Sequence, residues 1–305
     1  MTTAGATPGI PAAPVGAART AVLPAGAALD QLRAAAAPKL PLPPLDQDTY
    51  ASAHAAFEAR SDQRALLTRW LLERLVSRTA TGRPVSVLSV GCGDGAVDVA
   101  LADALTARDP GRPVRYVGVD PHPASGAAFR ARLDALKRPG LAASTIIASF
   151  DRLGGAAAYD VVLFVHSLYY VPDVGAALAR AEALLAPGGE VLVLHAPRAG
   201  LNELAAALAP PAAGHRQWWA ETTERVVAAS GLCGASCTIK GRLDLGDCLD
   251  ETDPVGCSVL DFTVQARLPE SLRPLALDAL RAVALPGNGL AVEHPLRAWE
   301  LRRPA

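Results

Sequence analysis

The chain has 305 residues, half of them hydrophobic, and a formal net charge of −1. This length is enough for one large domain or two small ones with a sizeable core, and the near-neutral charge argues against nucleic-acid or membrane-surface binding. The five cysteines lack the spacing of a zinc site, so we expect no metal and reduced thiols.

Residues 1–45 are rich in alanine, proline and glycine, which predicts a mostly disordered arm with at most a short helix over Ala27–Ala37. The arm lacks the basic start and apolar stretch of a secretory signal, and no apolar run in the chain is long enough to span a bilayer. We therefore expect a cytoplasmic protein. The composition is typical of a GC-rich bacterial genome.

Order is expected from Asp46 onwards. Capping residues precede an apolar face at helical spacing that includes Leu67, Leu71 and Leu75, which predicts a lid helix over residues 46–80. Strands and helices then alternate from 85 to 197, with strands at PVSVLSV, VRYVGV, STIIASF, YDVVLFVHS and EVLVLHA. This alternation predicts an α/β fold with a parallel sheet and helices on both faces.

The pattern loosens over residues 198–305, where we expect helices, a strand at CTIKGRLDL and a last strand at LRAWELRR. The sequence therefore predicts one domain over residues 46–305, with seven strands in all. The segment 198–305 is expected to complete the sheet and to cover a substrate. The oligomeric state is left open.

The stretch VLSVGCGDG, residues 87–95, places three glycines directly after the first strand. Glycines at a strand-to-helix turn allow tight backbone geometry and close approach of a ligand. Asp120 ends the second strand, where an acid can accept hydrogen bonds from two ribose hydroxyls. Taken alone, these two features are compatible with an NAD site, with an S-adenosylmethionine site, or with a tight turn that binds no ligand.

Three further features separate the two cofactors. The glycines follow a Gly-x-Gly-x-Gly pattern, the third strand ends in Ser149-Phe150-Asp151, and the turn LLAPGGEVLVL precedes strand five. By these features taken together, the chain resembles the class I S-adenosylmethionine-dependent methyltransferases. The resemblance implies a Rossmann-like, seven-stranded, mostly parallel sheet, with residues 85–197 binding S-adenosyl-L-methionine. The matching cofactor residues are Gly91, Cys92, Gly93, Asp120, Pro121, Ser149, Phe150, Asp151, Val165 and His166.

A narrower resemblance rests on HSLYYVPD (residues 166–173), YASAHAAFEARSDQ (50–63), and the segments 244–251 and 260–262. These stretches are similar to the histamine N-methyltransferase family. The resemblance implies a small-molecule methyl acceptor and a substrate pocket lined by Tyr50, His54, Phe57, Gln63, His166, Tyr169, Tyr170, Phe262 and His294.

The departures from that family argue against histamine itself. A family glutamate that holds the cationic amine is matched by Gln63, a glutamine by His166 and an asparagine by His294. Because imidazole titrates near neutral pH, we expect His166 to accept a proton from the acceptor or to orient it, with His294 and Tyr169 as further catalytic candidates. Packing would also explain Tyr169, and a solvent-facing position would explain His54 or His294.

The sequence thus predicts an enzyme that methylates a small molecule, most simply at the nitrogen of an amine or heterocycle. O- or C-methylation of a secondary metabolite is the alternative within this class. A non-catalytic S-adenosylmethionine-binding protein and a nicotinamide oxidoreductase are the alternatives outside it.

Overall fold

A computed structural model describes residues 24–78, 83–154, 158–211, 214–215, 217–250, 252–287 and 289–304. The first 23 residues of the predicted arm lie outside this range. The helices and strands, in chain order, are α1 (Ala25–Ala36), α2 (Gln47–Glu58), α3 (Gln63–Arg78), β1 (Val85–Val90), α4 (Asp98–Arg108), β2 (Val114–Asp120), α5 (Pro123–Ala135), β3 (Leu141–Ile147), β4 (Tyr159–Val165), α6 (Val174–Ala183), β5 (Leu185–His195), α7 (Asn202–Leu208), α8 (Ala220–Ala229), β6 (Cys233–Asp244), α9 (Pro254–Val264), α10 (Arg273–Arg281) and β7 (Ala291–Arg302).

The strands form one seven-stranded sheet in the order β3-β2-β1-β4-β5-β7-β6. Strands β1 to β5 pair in parallel, whereas β7 lies antiparallel between β5 and β6. The predicted Rossmann-like, mostly parallel sheet is confirmed. Because β1 has β2 on one side and β4 on the other, the strand order reverses there, which is where open α/β sheets bind ligands.

Alternate residues of the central strands fill the two faces of the sheet. In β1, Val85 and Val87 belong to one hydrophobic cluster and Leu88 and Val90 to the other. A third cluster lies outside the sheet and is built mainly from α1, α2, α7, α9 and α10. We call these five helices the cap.

Helix α1 agrees with the short helix predicted over Ala27–Ala37, but it packs against the cap and so differs from the disorder expected around it. Its residues Ala28, Leu32 and Ala36 recur every four positions and are buried in the cap cluster. Arg33 also pairs with Glu203 of α7 at 2.9 Å. The sequence indicated the helix but not the surface of the cap against which its apolar stripe packs.

The predicted lid helix over residues 46–80 is also corrected, because the structure has two helices with a break at residues 59–62. There the backbone pairs with β6 instead of continuing the helix. Asp62 N donates to the Arg242 carbonyl, Asp244 N donates to the Arg60 carbonyl, and Ser61 forms a bridge with Leu243. Tertiary pairing thus overrides the helical periodicity of the segment.

Within the described part of the chain, no helix has both the length and the apolar character needed to cross a membrane. Over the same residues, no group of three or more His, Cys, Asp or Glu side chains is arranged to hold a metal ion.

Candidate active site

A cavity of about 1370 Å³ lies at the carboxyl ends of β1, β2 and β4 and beneath part of the cap. Small-molecule sites commonly measure about 300–1,000 Å³, so this one has room for a cofactor and a second molecule. All of the predicted site residues line this single cavity. The structure brings them together, and their individual roles stay predictions.

The glycine turn after β1 has left-handed backbone at Gly91 (φ +64°) and Gly93 (φ +54°). The two glycines differ in their surroundings. A Cβ on Gly91 would lie 2.5 Å from Ser167 Cβ, whereas a Cβ on Gly93 would meet no atom within 4 Å. Gly91 is therefore required by the packing of the chain itself, and Gly93 leaves open space for a ligand.

Asp120 is buried at the end of β2 and holds two loops together. Its Oδ2 accepts from Gly93 N–H at 3.1 Å, and its Oδ1 accepts from His122 N–H at 2.9 Å. A carboxylate can accept about four hydrogen bonds, so capacity remains for hydroxyl donors. The carboxylate expected to hold a ribose is thus positioned by the loop expected to hold the rest of the cofactor.

The other predicted cofactor residues line the same end of the cavity: Cys92, Pro121, Ser149, Phe150, Asp151 and Val165. Two buried polar groups here were not predicted. Asp98 lines the cavity and accepts a hydrogen bond from Tyr116 at 2.9 Å, and burial raises its pKa to about 6. Ser167 Oγ is buried without a hydrogen-bond partner among the described residues.

His166 follows β4 with a left-handed backbone (φ +53°), which is a strained conformation for a residue with a side chain. Gln63 Nε2 donates to the His294 carbonyl at 2.8 Å, which directs Gln63 Oε1 towards His166 Nε2 at 3.0 Å. Ala196 N–H donates to the Tyr169 hydroxyl at 3.0 Å, so the hydroxyl proton is directed to His166 Nδ1, also at 3.0 Å. His166 is therefore a neutral Nε2–H tautomer with both ring nitrogens engaged.

Two of the imidazoles at this end of the cavity, His166 and His294, are uncharged at neutral pH. Burial lowers the pKa of His166 to about 4, against an opposing effect of Glu58. Burial, and secondly His166, lower the pKa of His294 to about 3. Tyr169 occupies the only lone pair of the ring, so His166 can accept a proton only if this hydrogen bond is released, and its role stays a prediction.

His294 uses only one of its two ring nitrogens in a hydrogen bond with the described residues. Its Nδ1 lies 2.7 Å from Ser61 Oγ in the break between α2 and α3. Its Nε2 has no hydrogen-bond partner among the described residues, and the side chain lines the cavity. Of His166 and His294, His294 is therefore the one with an open hydrogen-bonding position for a bound molecule.

Aromatic rings from α2 and α9 form a wall at this end. Phe262 packs against Tyr50, His54 and Phe57 with ring centroids 4.9–5.3 Å apart. Opposite the wall, the Tyr170 hydroxyl lies 3.5 Å from that of Tyr50, and both rings are partly exposed. We call the region lined by these rings, Gln63, His166 and His294 the acceptor end.

Sequence reasoning missed two charged residues of the acceptor end, Glu58 and Arg64. They flank the break between α2 and α3, and Arg64 Nε lies 2.8 Å from Glu58 Oε2. Burial alone would raise the pKa of Glu58, but His54 and Arg64 outweigh burial and hold it below its ordinary value. Glu58 is therefore ionised at neutral pH.

His195 is a histidine of the core rather than of the cavity. It is fully buried, and its two nitrogens bond to Thr223 Oγ1 at 2.9 Å and to the Trp218 carbonyl at 3.0 Å. Burial lowers its pKa to about 3. It connects β5 to the segment before α8 and does not line the cavity.

Comparison with known proteins agrees with the fold and the glycine turn. A sequence family described as a methyltransferase domain matches residues 88–191, which run from β1 into β5. The matched part of the chain is therefore a methyltransferase domain. This domain agrees with the predicted cofactor, S-adenosyl-L-methionine.

More distant similarity extends beyond the matched domain. Histamine N-methyltransferase A of Xenopus laevis is 22% identical over 250 residues, covering 72% of this chain and 80% of the relative. The YcgJ protein of Bacillus subtilis superposes with a TM-score of 0.52 at 13% identity, over 77% of this chain and 98% of that one. The plantazolicin methyltransferase BpumL gives a TM-score of 0.50 at 13% identity, over 92% and 98%.

The cavity fits the cofactor of a class I methyltransferase. Gly93 opens onto free space, Asp120 has unused acceptor capacity, and Ser167 Oγ is a buried polar atom that lacks a partner among the described residues. These three features lie next to one another at the switch point of the sheet, where the class binds its cofactor.

Proposed function

We propose that this methyltransferase methylates a nitrogen of a small molecule, an amine or a nitrogen heterocycle, bound at the acceptor end. One observation carries the proposal: beside the aromatic wall, the half-buried imidazole of His166 and the buried imidazole of His294 are both neutral at pH 7. Such histidines are weak bases, so they favour an acceptor that attacks with a lone pair it already has. A hydroxyl acceptor would instead need a base matched to neutral pH.

In this proposal, S-adenosyl-L-methionine is held by the glycine turn and Asp120, with Pro121, Ser149, Phe150, Asp151 and Val165 around its nucleoside. When bound, the cofactor supplies an electrophilic methyl group on a sulfonium. Aromatic faces of Tyr169 and Tyr170 suit a nearby cation. The relative from Xenopus laevis, an N-methyltransferase by name, supports nitrogen as the acceptor atom.

The residues of the acceptor end act by alignment. The apolar rings favour the neutral form of an amine, because removal from water disfavours its charged form. His294 Nε2 binds the acceptor, and the Gln63–His166–Tyr169 chain of hydrogen bonds keeps His166 fixed beside it. Holding two reactants in line can contribute about 7–11 kcal/mol to a reaction, more than general-base assistance usually does.

The test is a search for product. Calorimetry measures binding of S-adenosylmethionine and S-adenosylhomocysteine, and incubation with a metabolite extract is followed by mass spectrometry and by NMR of the methylated atom. We expect tight binding and an N-methylated product. Asp120→Asn serves as the control that loses the cofactor.

Three other results would each exclude the proposal. Cofactor binding without any methylated product would indicate a binding protein. Methyl groups found on oxygen or carbon would indicate the other transferase chemistry. Binding of NADH without affinity for S-adenosylhomocysteine would indicate an oxidoreductase.

A further inference from the structure

The acceptor end contains a carboxylate, Glu58, that the chain holds by ion pairs rather than by well-aligned hydrogen bonds. The Glu58 side chain is only 18% exposed, yet its buried Oε2 accepts no hydrogen bond from the described residues. His54 Nε2 lies 3.6 Å from Oε1, longer than an ordinary hydrogen bond. Oε2 is buried against Arg64, so the oxygen left for a ligand is Oε1, on a side chain that lines the cavity and can accept further hydrogen bonds.

Arg64 is the counterpart of Glu58 and is also incompletely used. Its Nε lies 2.8 Å from Glu58 Oε2 as an ion pair without hydrogen-bond alignment. The guanidinium forms no hydrogen bond with any other described residue, and the side chain is 43% exposed at the cavity lining. Its Nη groups remain available to a carboxylate, which they can bind through two parallel hydrogen bonds.

The proximity of the two charges determines which ligand fits. A ligand with only a cation would meet Glu58 but would be repelled by Arg64, and a ligand with only an anion would face the reverse. A group that carries both charges on neighbouring atoms satisfies both side chains at once. Specificity of this kind arises from repulsion of the wrong charge as much as from attraction of the right one.

We propose that Glu58 and Arg64 form a binding site for a zwitterion, and that the methyl acceptor is an amino acid or a derivative with a free ammonium and a free carboxylate. This proposal rests on the proposed function. The ammonium lies against Glu58 and the carboxylate against Arg64. The nitrogen that is methylated belongs to the other end of the molecule, which lies between the aromatic wall and His166.

The test uses sets of probes that share a ring and differ only in charge. One set is L-histidine, histamine and 3-(imidazol-4-yl)propionate, and the second is L-tryptophan, tryptamine and indole-3-propionate. Binding of each probe is measured by calorimetry in the presence of saturating S-adenosylhomocysteine. We expect the zwitterion of at least one set to bind about 10- to 100-fold more tightly than both partners, the range expected for one charged hydrogen-bonded contact.

Variants assign the preference to the two residues. Arg64→Gln should remove the advantage of the zwitterion over the amine, and Arg64→Lys should restore part of it because the charge returns. Glu58→Gln should remove the advantage over the carboxylate. Arg69→Gln and Glu73→Gln, which change exposed residues of α3 outside the cavity, are the matched controls. Thermal unfolding verifies that each variant is folded.

The proposal is overturned if no zwitterion of either set binds, if the amine or the carboxylate binds as tightly, or if a variant weakens all three probes of a set equally. Failure of the proposed function would be recognised by a different measurement, because that function is tested by the methylated product and the zwitterion site by the binding of probes. A zwitterion that binds as expected, together with an extract that yields no N-methylated compound, would exclude N-methylation and leave the zwitterion site standing.

Discussion

Gly91 and Gly93 share a left-handed backbone but differ in what surrounds them, so alanine at each position separates folding from cofactor binding. Left-handed backbone costs an alanine about 1–2 kcal/mol at either site. At Gly91 the new methyl also collides with Ser167 Cβ, at 2.5 Å, and overpacking of this kind costs about 1–3 kcal/mol. We expect Gly91→Ala to destabilise the fold by about 2–5 kcal/mol and Gly93→Ala by only about 1–2 kcal/mol.

Urea denaturation measures both changes, and the conformational cost largely cancels in their difference. Ser167→Gly in the background of Gly91→Ala removes the colliding atom, so the double variant should recover about 1–3 kcal/mol relative to Gly91→Ala, with Ser167→Gly alone as the reference. Gly93→Ala should instead lower the affinity for S-adenosylhomocysteine about tenfold or more, because its methyl enters the cavity. Equal destabilisation by the two alanines, or no recovery in the double variant, would refute this reasoning.

Four more predictions concern the site. The pKa of His166 is about 4 in the folded protein and near 6.5 in the unfolded chain, so the unfolded chain binds more protons between these pH values. The free energy of unfolding should therefore fall by up to about 3 kcal/mol as the pH drops from 6.5 to 4. Urea titrations of His166→Gln should show a weaker dependence of this free energy on pH. Because His166 and His294 are already neutral, kcat should show no titration by either between pH 6 and 8, and a steep rise with an apparent pKa near 7 that disappears in His294→Gln would contradict this. Tyr169→Phe leaves His166 Nδ1 without its donor, so kcat should fall about 10- to 100-fold with cofactor affinity unchanged; calorimetry beside steady-state kinetics distinguishes this from a change in cofactor binding. Asp120→Asn should weaken S-adenosylhomocysteine binding by a similar factor, and unchanged affinity would exclude Asp120 as a cofactor ligand.

The cofactor end of the cavity was predictable because its signals are local in the chain. Gly91 and Gly93 directly follow β1, Asp120 ends β2, and Ser149 follows β3. Once strands and helices alternate, the topology brings these strand ends to one edge without any knowledge of side-chain contacts. The reason for Gly91 still required the structure, since its close neighbour, Ser167, is 76 residues away (167 − 91).

The acceptor end was predicted only as a set of residues implied by resemblance. Its contacts join distant parts of the chain: His166 with Gln63, 103 residues apart, and Tyr50 with Tyr170, 120 residues apart. Neither the tautomer of His166 nor its lowered pKa has a signature in the sequence, because both depend on hydrogen bonds and burial that exist only in the folded chain. The sequence therefore could not show that both ring nitrogens of His166 are already engaged in hydrogen bonds.

The break between α2 and α3 explains why the charged pair was also missed. In one continuous helix, Glu58 and Arg64 would be six residues apart, about 9 Å along the axis and about 240° around it, on different faces. The pairing of Ser61 and Asp62 with β6 bends the chain there, and the two side chains approach to 2.8 Å within the cavity. The same bend places Gln63 between His166 and the His294 carbonyl. The zwitterion site and the fixed imidazole thus depend on one interruption, and a variant that restores helix through residues 59–62 should lose both together.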